Sequence, residues 1–328
     1  MPHCVQWIAH ADWSASPLKR HVCVARRDPD GVFALGAPTL VQQLGGAGQL
    51  IERLVGDFGG GGVLGMDVLV GLPQRYAQRA GIEAFLPWLD GLGQGAWASF
   101  YEVAPSVEDI SLHRPFYPAK GGRVKMDDLV GALGLESRDD LRRACDFRPG
   151  RGTRWGTPLF WTMGAAQVGK ATLSAWREVL APARAHPSLN ARIWPFEGAL
   201  DELAGPDTVV LCEAFPTAYH APLGLDLARG SKRAQGSRVE QAQALERWRG
   251  ARGVRFDEAL SHAIAQGFGP AANAEDAFDA VVGCAGMVDA LVRPEPFFEP
   301  PGGMRQVEGW IFGMRDDREL EGPLLGEW

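Results

Sequence analysis

Apolar positions in the first third of the chain fall into short runs and one helical stripe. Residues 4–11 are an apolar run that ends at Asp12, and 21–25 and 31–35 are two more. Turn-rich pieces at 14–17 and 28–31 separate them, which predicts three short strands in an antiparallel meander. From 40 to 58 the spacing becomes helical, with Leu40, Leu44, Leu50, Ile51, Leu54 and Val55 on one side. Glycines at 45, 46 and 48 weaken its start, and the glycines at 59–62 stop it. Residues 63–70 then read as a nearly continuous apolar strand that carries one charge, Asp67.

The middle block, 74–206, is rich in Trp, Gly, Pro and Arg. Helical spacing at 76–89, 126–133, 137–145 and 164–180, with a short strand at 192–196, predicts a large, mostly helical insertion. The α/β pattern returns at 208–215, a strand that again carries one charge, Glu213. Helices follow at 238–249, 256–266 and 273–292. The last has Asn273 as N-cap, with Glu275 and Asp276 at the positive end of its dipole. The fold class is therefore α/β, with a discontinuous core at 1–73 and 207–292. Residues 293–328 are expected to pack on that core as an extension, with an edge strand at 309–312.

Composition narrows the function classes. The chain has 328 residues, 46% hydrophobic and 22% charged, an ordinary globular balance. Its formal charge of −7 argues against coating nucleic acid by bulk charge, although a local basic channel is compatible with it. No run of about 18 apolar residues occurs, so no membrane span is expected. The N-terminus lacks the basic-then-apolar order of a secretory signal. Five widely spaced cysteines, at 4, 23, 145, 212 and 284, fit reduced thiols in a cytoplasmic protein better than a disulfide framework or structural zinc.

The informative residues are acids where apolar ones belong. Asp12 ends the first strand, and Asp67 and Glu213 interrupt two others. An unpaired buried carboxylate costs several kcal/mol or shifts its pKa until it is neutral. Acids at the ends of adjacent strands meet at one sheet edge, where ligands bind. Asp276 and Asp279, spaced i and i+3, share one helix face and could complete an all-oxygen cluster. Such donors suit Mg²⁺ or Mn²⁺, not zinc. Two ions about 4 Å apart are a device for phosphodiester hydrolysis, one activating water and the other stabilising the leaving oxygen. Each acid also has a structural alternative. Asp12 could cap the turn at Ser14, Asp67 could pair with an arginine of the middle block, and Glu213 could pair with Lys232 or Arg233. Asp276 could be only a first-turn acid. His10 shares a strand face with Asp12, and both it and His220 are read as structural.

These motifs carry a resemblance. Asp12 on the first strand, an acid on a later core strand and Asp276-Ala-Phe-Asp279-Ala280 on a late helix resemble the ribonuclease-H-like fold, and the last is similar to a motif of Holliday-junction resolvases. Gly65-Met-Asp-Val-Leu-Val-Gly-Leu-Pro73, Cys212-Glu-Ala-Phe-Pro216 and Glu275-Asp-Ala-Phe-Asp-Ala280 resemble more closely the family called domain of unknown function 429, predicted nucleases of that fold. The resemblance spans residues 4–73 and 208–292. It implies a mixed five-stranded sheet with helices on both sides. It also implies Asp12, Asp67 and Asp279 as metal ligands, with Glu213 or Asp276 as a fourth. Glu213 departs from the pattern, since it lies on a fifth strand beside the acid at Asp67.

Two basic stretches are candidates for holding nucleic-acid phosphates. Between 229 and 255 stand Arg229, Lys232, Arg233, Arg238, Arg247, Arg249, Arg252 and Arg255, against Glu240 and Glu246. A second stretch, 138–154, holds six arginines, with Trp155 and Trp161 beyond it as stacking candidates. Lys232, Arg233 and Arg238 are the expected substrate contacts; the alternative is a solvated face balanced by acids. Residues 164–171 imitate a phosphate-binding loop but place Ala171 where a hydroxyl is needed, so they read as a helix start.

The leading expectation is a Mg²⁺- or Mn²⁺-dependent nuclease, with DNA or RNA and the oligomeric state, a homodimer included, left open. A phosphotransferase of the actin and sugar-kinase class is the alternative, but only one of its two phosphate lobes is legible. A non-catalytic binding module is the third, and its mark would be an acidic cluster neutralised by Lys or Arg.

Overall fold

The computed structural model describes residues 4–119, 121, 123–146, 157–163, 168–227 and 231–314. Along the chain run β1 (Trp7–Asp12), β2 (His21–Arg27), β3 (Phe33–Leu35), β4 (Thr39–Leu40), α1 (Leu50–Phe58) and β5 (Gly62–Met66). Then come α2 (Gln74–Ala80), α3 (Phe85–Asp90), α4 (Met126–Ala132), α5 (Val168–Ala175) and α6 (Ala181–Ala185). The remainder is β6 (Asn190–Ile193), α7 (Leu200–Leu203), β7 (Thr208–Glu213), α8 (Gln235–Glu240), α9 (Ala242–Arg252), β8 (Arg255–Phe256), α10 (Glu258–Ala265), α11 (Ala274–Val292) and α12 (Gly302–Gln306).

The chain divides into two compact units. The first takes the described residues of Met1–Asp67, Glu178–Phe297 and Ile311–Gly313. It is built on a mixed sheet of eight strands in the order β6-β7-β5-β1-β2-β3-β8, with β4 paired to β2. The meander β1, β2, β3 is antiparallel, as its short turns require. β5, β7 and β6 run parallel to β1, joined by crossovers too long for hairpins. The expected five-stranded sheet is thus too small. Short β4 and β8 extend the meander, and β6, expected within the insertion, adds an edge beside β7.

Helices cover both faces of β1. On one, the Trp7 indole donates to the Gly59 carbonyl (2.9 Å) at the end of α1. On the other lies α11, buried along nearly its whole length. The helix expected from 40 begins only at Leu50. Gly45 and Gly46, both at positive φ, break the earlier part into two 3₁₀ turns. The edge strand expected at 309–312 reduces to one bridge between Ile311 and Glu213.

The second unit takes the described residues of Val68–Arg177, Phe298–Trp310 and Met314–Trp328. The expected insertion therefore begins earlier than 74 and ends earlier than 206, and the C-terminal extension is shared between the units. Short helices surround an aromatic core in which Trp88 meets Phe100 edge-on at 4.8 Å and Trp176 at 5.8 Å. The helix expected at 137–145 is a pair of 3₁₀ turns. Buried Arg143 there bonds Asp146 (2.9 Å) and the carbonyls of Val70 and Glu308.

Candidate functional site

The parallel register of β1 and β5 pairs Ala11 with Met66, and the Asp67 N–H continues it by donating to the Ala11 carbonyl (3.0 Å). Asp12 and Asp67 therefore stand level at the carboxyl ends of neighbouring strands. Side chains alternate along a strand, so Asp12 shares its face with His10. That face lies under α11. A Cβ on Gly283 would overlap the His10 ring, so glycine is what lets the helix approach β1 here. Because α11 runs antiparallel to β1, with Gly283 on His10 and Cys284 on Ile8, the helix travels about 6 Å from Gly283 back to Asp279 and the strand about 6.6 Å from His10 to Asp12 in the same direction. Asp279 consequently arrives over Asp12. Asp276 lies one turn further out and is only half-buried.

Glu213 is one step out of phase. It pairs with Met66, not with Asp67, so alternation assigns it to the opposite face of the sheet. Its charge still reaches Asp67.

The cluster is electrostatically crowded. Burial, then the charges of Asp279, Asp67 and Asp276, push Asp12 well above the usual carboxylate range. Asp67 is pushed up to about 7, by burial first and then by Asp279. Asp276 is pushed up to about 6, mainly by burial, with Lys19 of the β1–β2 connection opposing the rise. Asp279 is raised too, by burial, although Lys232 opposes it. The Lys232 ammonium donates to Asp279 Oδ2. Burial alone would lower the Lys232 pKa, but Asp279, Asp67 and Asp12 together outweigh it and raise it. The positive charges of Lys232 and Lys19 thus do not cancel the rise that burial and mutual repulsion impose on these carboxyls. Asp279 Oδ1 and Asp276 Oδ2 are buried with no hydrogen-bond partner among the described residues.

The other expected substrate contacts divide. Arg233 is exposed and lies 3.5 Å from Glu275. Arg238, expected at a phosphate, is instead buried. Its guanidinium is engaged with the carbonyls of Lys232 (2.5 Å), Arg233 (3.0 Å), Gly267 (2.8 Å) and Gly269 (2.8 Å). Further along that stretch, Arg249 pairs with Glu246, Arg252 with buried Asp289 and Arg255 with Asp28. Most of this basic run is therefore tied to acids or carbonyls, the balanced-face alternative. Arg229, Arg148, Arg151, Arg154, Trp155 and residues 164–167 lie outside the described residues. Trp161 is half-buried against the Tyr117 ring.

His10 is buried, and burial lowers its pKa to about 4. Its Nε2 meets the Ala214 carbonyl at 3.3 Å, so it is a neutral packing residue beneath the acids. Sequence reasoning missed the reach of Lys19 to Asp276, because no spacing rule links a turn after β1 to the first turn of α11.

No known family model, curated protein or solved structure matches the chain. Among the described residues no helix is long and apolar enough to cross a membrane.

Proposed function

We propose that this chain is a Mg²⁺- or Mn²⁺-dependent phosphodiesterase acting on nucleic acid, built on a ribonuclease-H-like core. The observation that carries the reading is the meeting of Asp12, Asp67, Asp276 and Asp279 from three elements at the carboxyl end of β1, where burial and their mutual repulsion raise all four above the usual carboxylate range. The order of elements supports it: a first-strand acid, a level acid on the adjacent parallel strand, and a late helix laid over both.

The donor chemistry fits a hard divalent cation. All the donors are carboxylate oxygens, and Asp279 Oδ1 is buried and unpartnered among the described residues. No group of three His, Cys, Asp or Glu side chains among those residues is arranged to hold a metal ion as it stands, and Lys232 already engages Asp279. Asp12, Asp67 and Asp279 would hold the cation, which would supply Lewis-acid activation of water towards phosphorus. Arg233, exposed beside Glu275, would orient the phosphate backbone.

The test is cleavage of single strands, duplexes, RNA–DNA hybrids and four-way junctions with Mn²⁺, with wild type beside Asp12→Asn. Cleavage by wild type that Asp12→Asn and EDTA abolish is the expected result. Equal cleavage by both proteins removes the assignment. The Lys232–Asp279 ion pair favours one second reading, a non-catalytic nucleic-acid-binding module. Retained binding of these strands with no cleavage by wild type selects it.

A further inference from the structure

The positive charge that meets the four carboxylates comes from the chain itself, and it is held in place by design of the loop around it. Asp279 is 6% exposed and Lys232 is 39% exposed, so the ammonium reaches a buried acid from the rim. Behind it, the rigid guanidinium fork of Arg238 bonds two chain segments at once. It holds the carbonyls of Lys232 and Arg233 on one side and those of Gly267 and Gly269 on the other. Between those two glycines stands Phe268, a non-glycine residue at φ 61°, a conformation that costs free energy and persists only where its surroundings impose it. Its ring packs edge-on against Phe278 at 5.8 Å, next to Asp279 on α11. The loop that delivers Lys232 is thus fastened to the helical turn that delivers its acid.

We infer that Lys232 is the resident counter-ion of the carboxylate cluster, that Arg238 is the positioning residue that keeps it there, and that a divalent cation enters by displacing the Lys232 ammonium from Asp279. The inference rests on the metal reading proposed above and adds how that site is regulated. Four carboxylates cannot stay close and ionised without a cation. Lys232 supplies one when no other is bound. The same charge repels an incoming ion and competes for its oxygens, so metal affinity is set by how firmly the 232–233 backbone is clamped.

The experiment measures Mn²⁺ affinity, by calorimetry and by loss of the free-ion paramagnetic resonance signal, on the full chain stripped of metal. Wild type is compared with Lys232→Gln, Lys232→Arg, Arg238→Gln, the Lys232→Gln/Arg238→Gln double variant and Asp279→Asn, each checked for folding by circular dichroism. Lys232→Gln keeps a donor for Asp279 but removes the charge, and it is expected to bind Mn²⁺ about tenfold tighter. Lys232→Arg keeps the charge and stays near wild type. Arg238→Gln binds tighter than wild type, yet adds nothing in the Lys232→Gln background. A purely structural role for Arg238 would weaken binding instead, and Arg238→Lys serves as the milder change if the glutamine variant does not fold. Binding by Lys232→Gln that is equal to or weaker than that of wild type overturns the displacement. Additivity of the two changes overturns the positioning role. If folded wild type binds no more Mn²⁺ than Asp279→Asn, and Lys232→Gln does no better, the metal reading falls together with the displacement.

Discussion

Asp12 and Asp67 end neighbouring parallel strands at the same level, joined by the Asp67 N–H to Ala11 carbonyl bond. Asp67 is pushed up to about 7 and Asp276 to about 6. An aspartate in the unfolded chain titrates near ~3.9. The folded chain therefore holds protons that the unfolded chain releases. The stability these groups contribute is complete below pH ~4 and is lost as pH rises through about 6 for Asp276 and about 7 for Asp67. Metal-free Asp67→Asn is expected to gain stability relative to wild type between pH 5 and pH 8, on the order of 2 kcal/mol. Urea unfolding of both proteins in EDTA across that range checks it, and a gap that does not change with pH would count against the buried cluster.

Asp12→Asn removes a buried carboxyl that Asp279, Asp67 and Asp276 crowd. Its melting temperature in EDTA at pH 8 is expected to equal or exceed that of wild type. Added Mn²⁺ should raise the wild-type midpoint, by about 2.7 kcal/mol of stability at a hundredfold excess over Kd, and leave Asp12→Asn unmoved. Calorimetric melting with and without Mn²⁺ reads both effects. A variant that responds to Mn²⁺ as wild type does would exclude Asp12 as a ligand.

Gly283 is where α11 comes closest to β1, against the His10 ring. Gly283→Ala forces the two elements apart and is expected to cost about 1–3 kcal/mol in urea unfolding. Because Asp279 lies one turn away, Mn²⁺ binding should weaken as well. Unchanged stability would mean that the contact relaxes without moving the helix.

Arg233 and Arg238 are five residues apart and are expected to respond oppositely. Arg238→Gln leaves buried carbonyls of two loops short of a donor and should cost about 2 kcal/mol or more. Arg233→Ala should change stability by less than about 0.5 kcal/mol. It should weaken nucleic-acid binding across sequences and reduce the salt slope by about one. Denaturation curves and salt-dependent binding isotherms separate them, and an unaltered slope in Arg233→Ala would remove it from the phosphate contacts.

Much of the first unit was legible residue by residue. The meander, the strand before Asp67, the strand at Glu213 and the helix from 274 all follow from apolar period and turn chemistry, with ends displaced by a few residues. The edges were not legible. β4 and β8 are two residues each, too short to show a period, and β6, which overlaps the short strand expected at 192–196, was not expected in this sheet because its pairing with β7 is not written in its local spacing. The side of the sheet that Glu213 faces was hidden for another reason. A one-residue change of register reverses a side chain's face, and register between distant strands is set by packing.

Apolar period and residue type alone establish that acids interrupt strands otherwise built to be buried, and that two more share one face of a late helix. Those facts are local, carried by period and residue type. Which acids meet, the pairing of Lys232 with Asp279, and the service of Arg238 to backbone carbonyls follow only from the folded chain. These outcomes depend on contacts between segments far apart in the chain, where the free energy of burying a charge selects its partner and neither spacing nor composition records the choice.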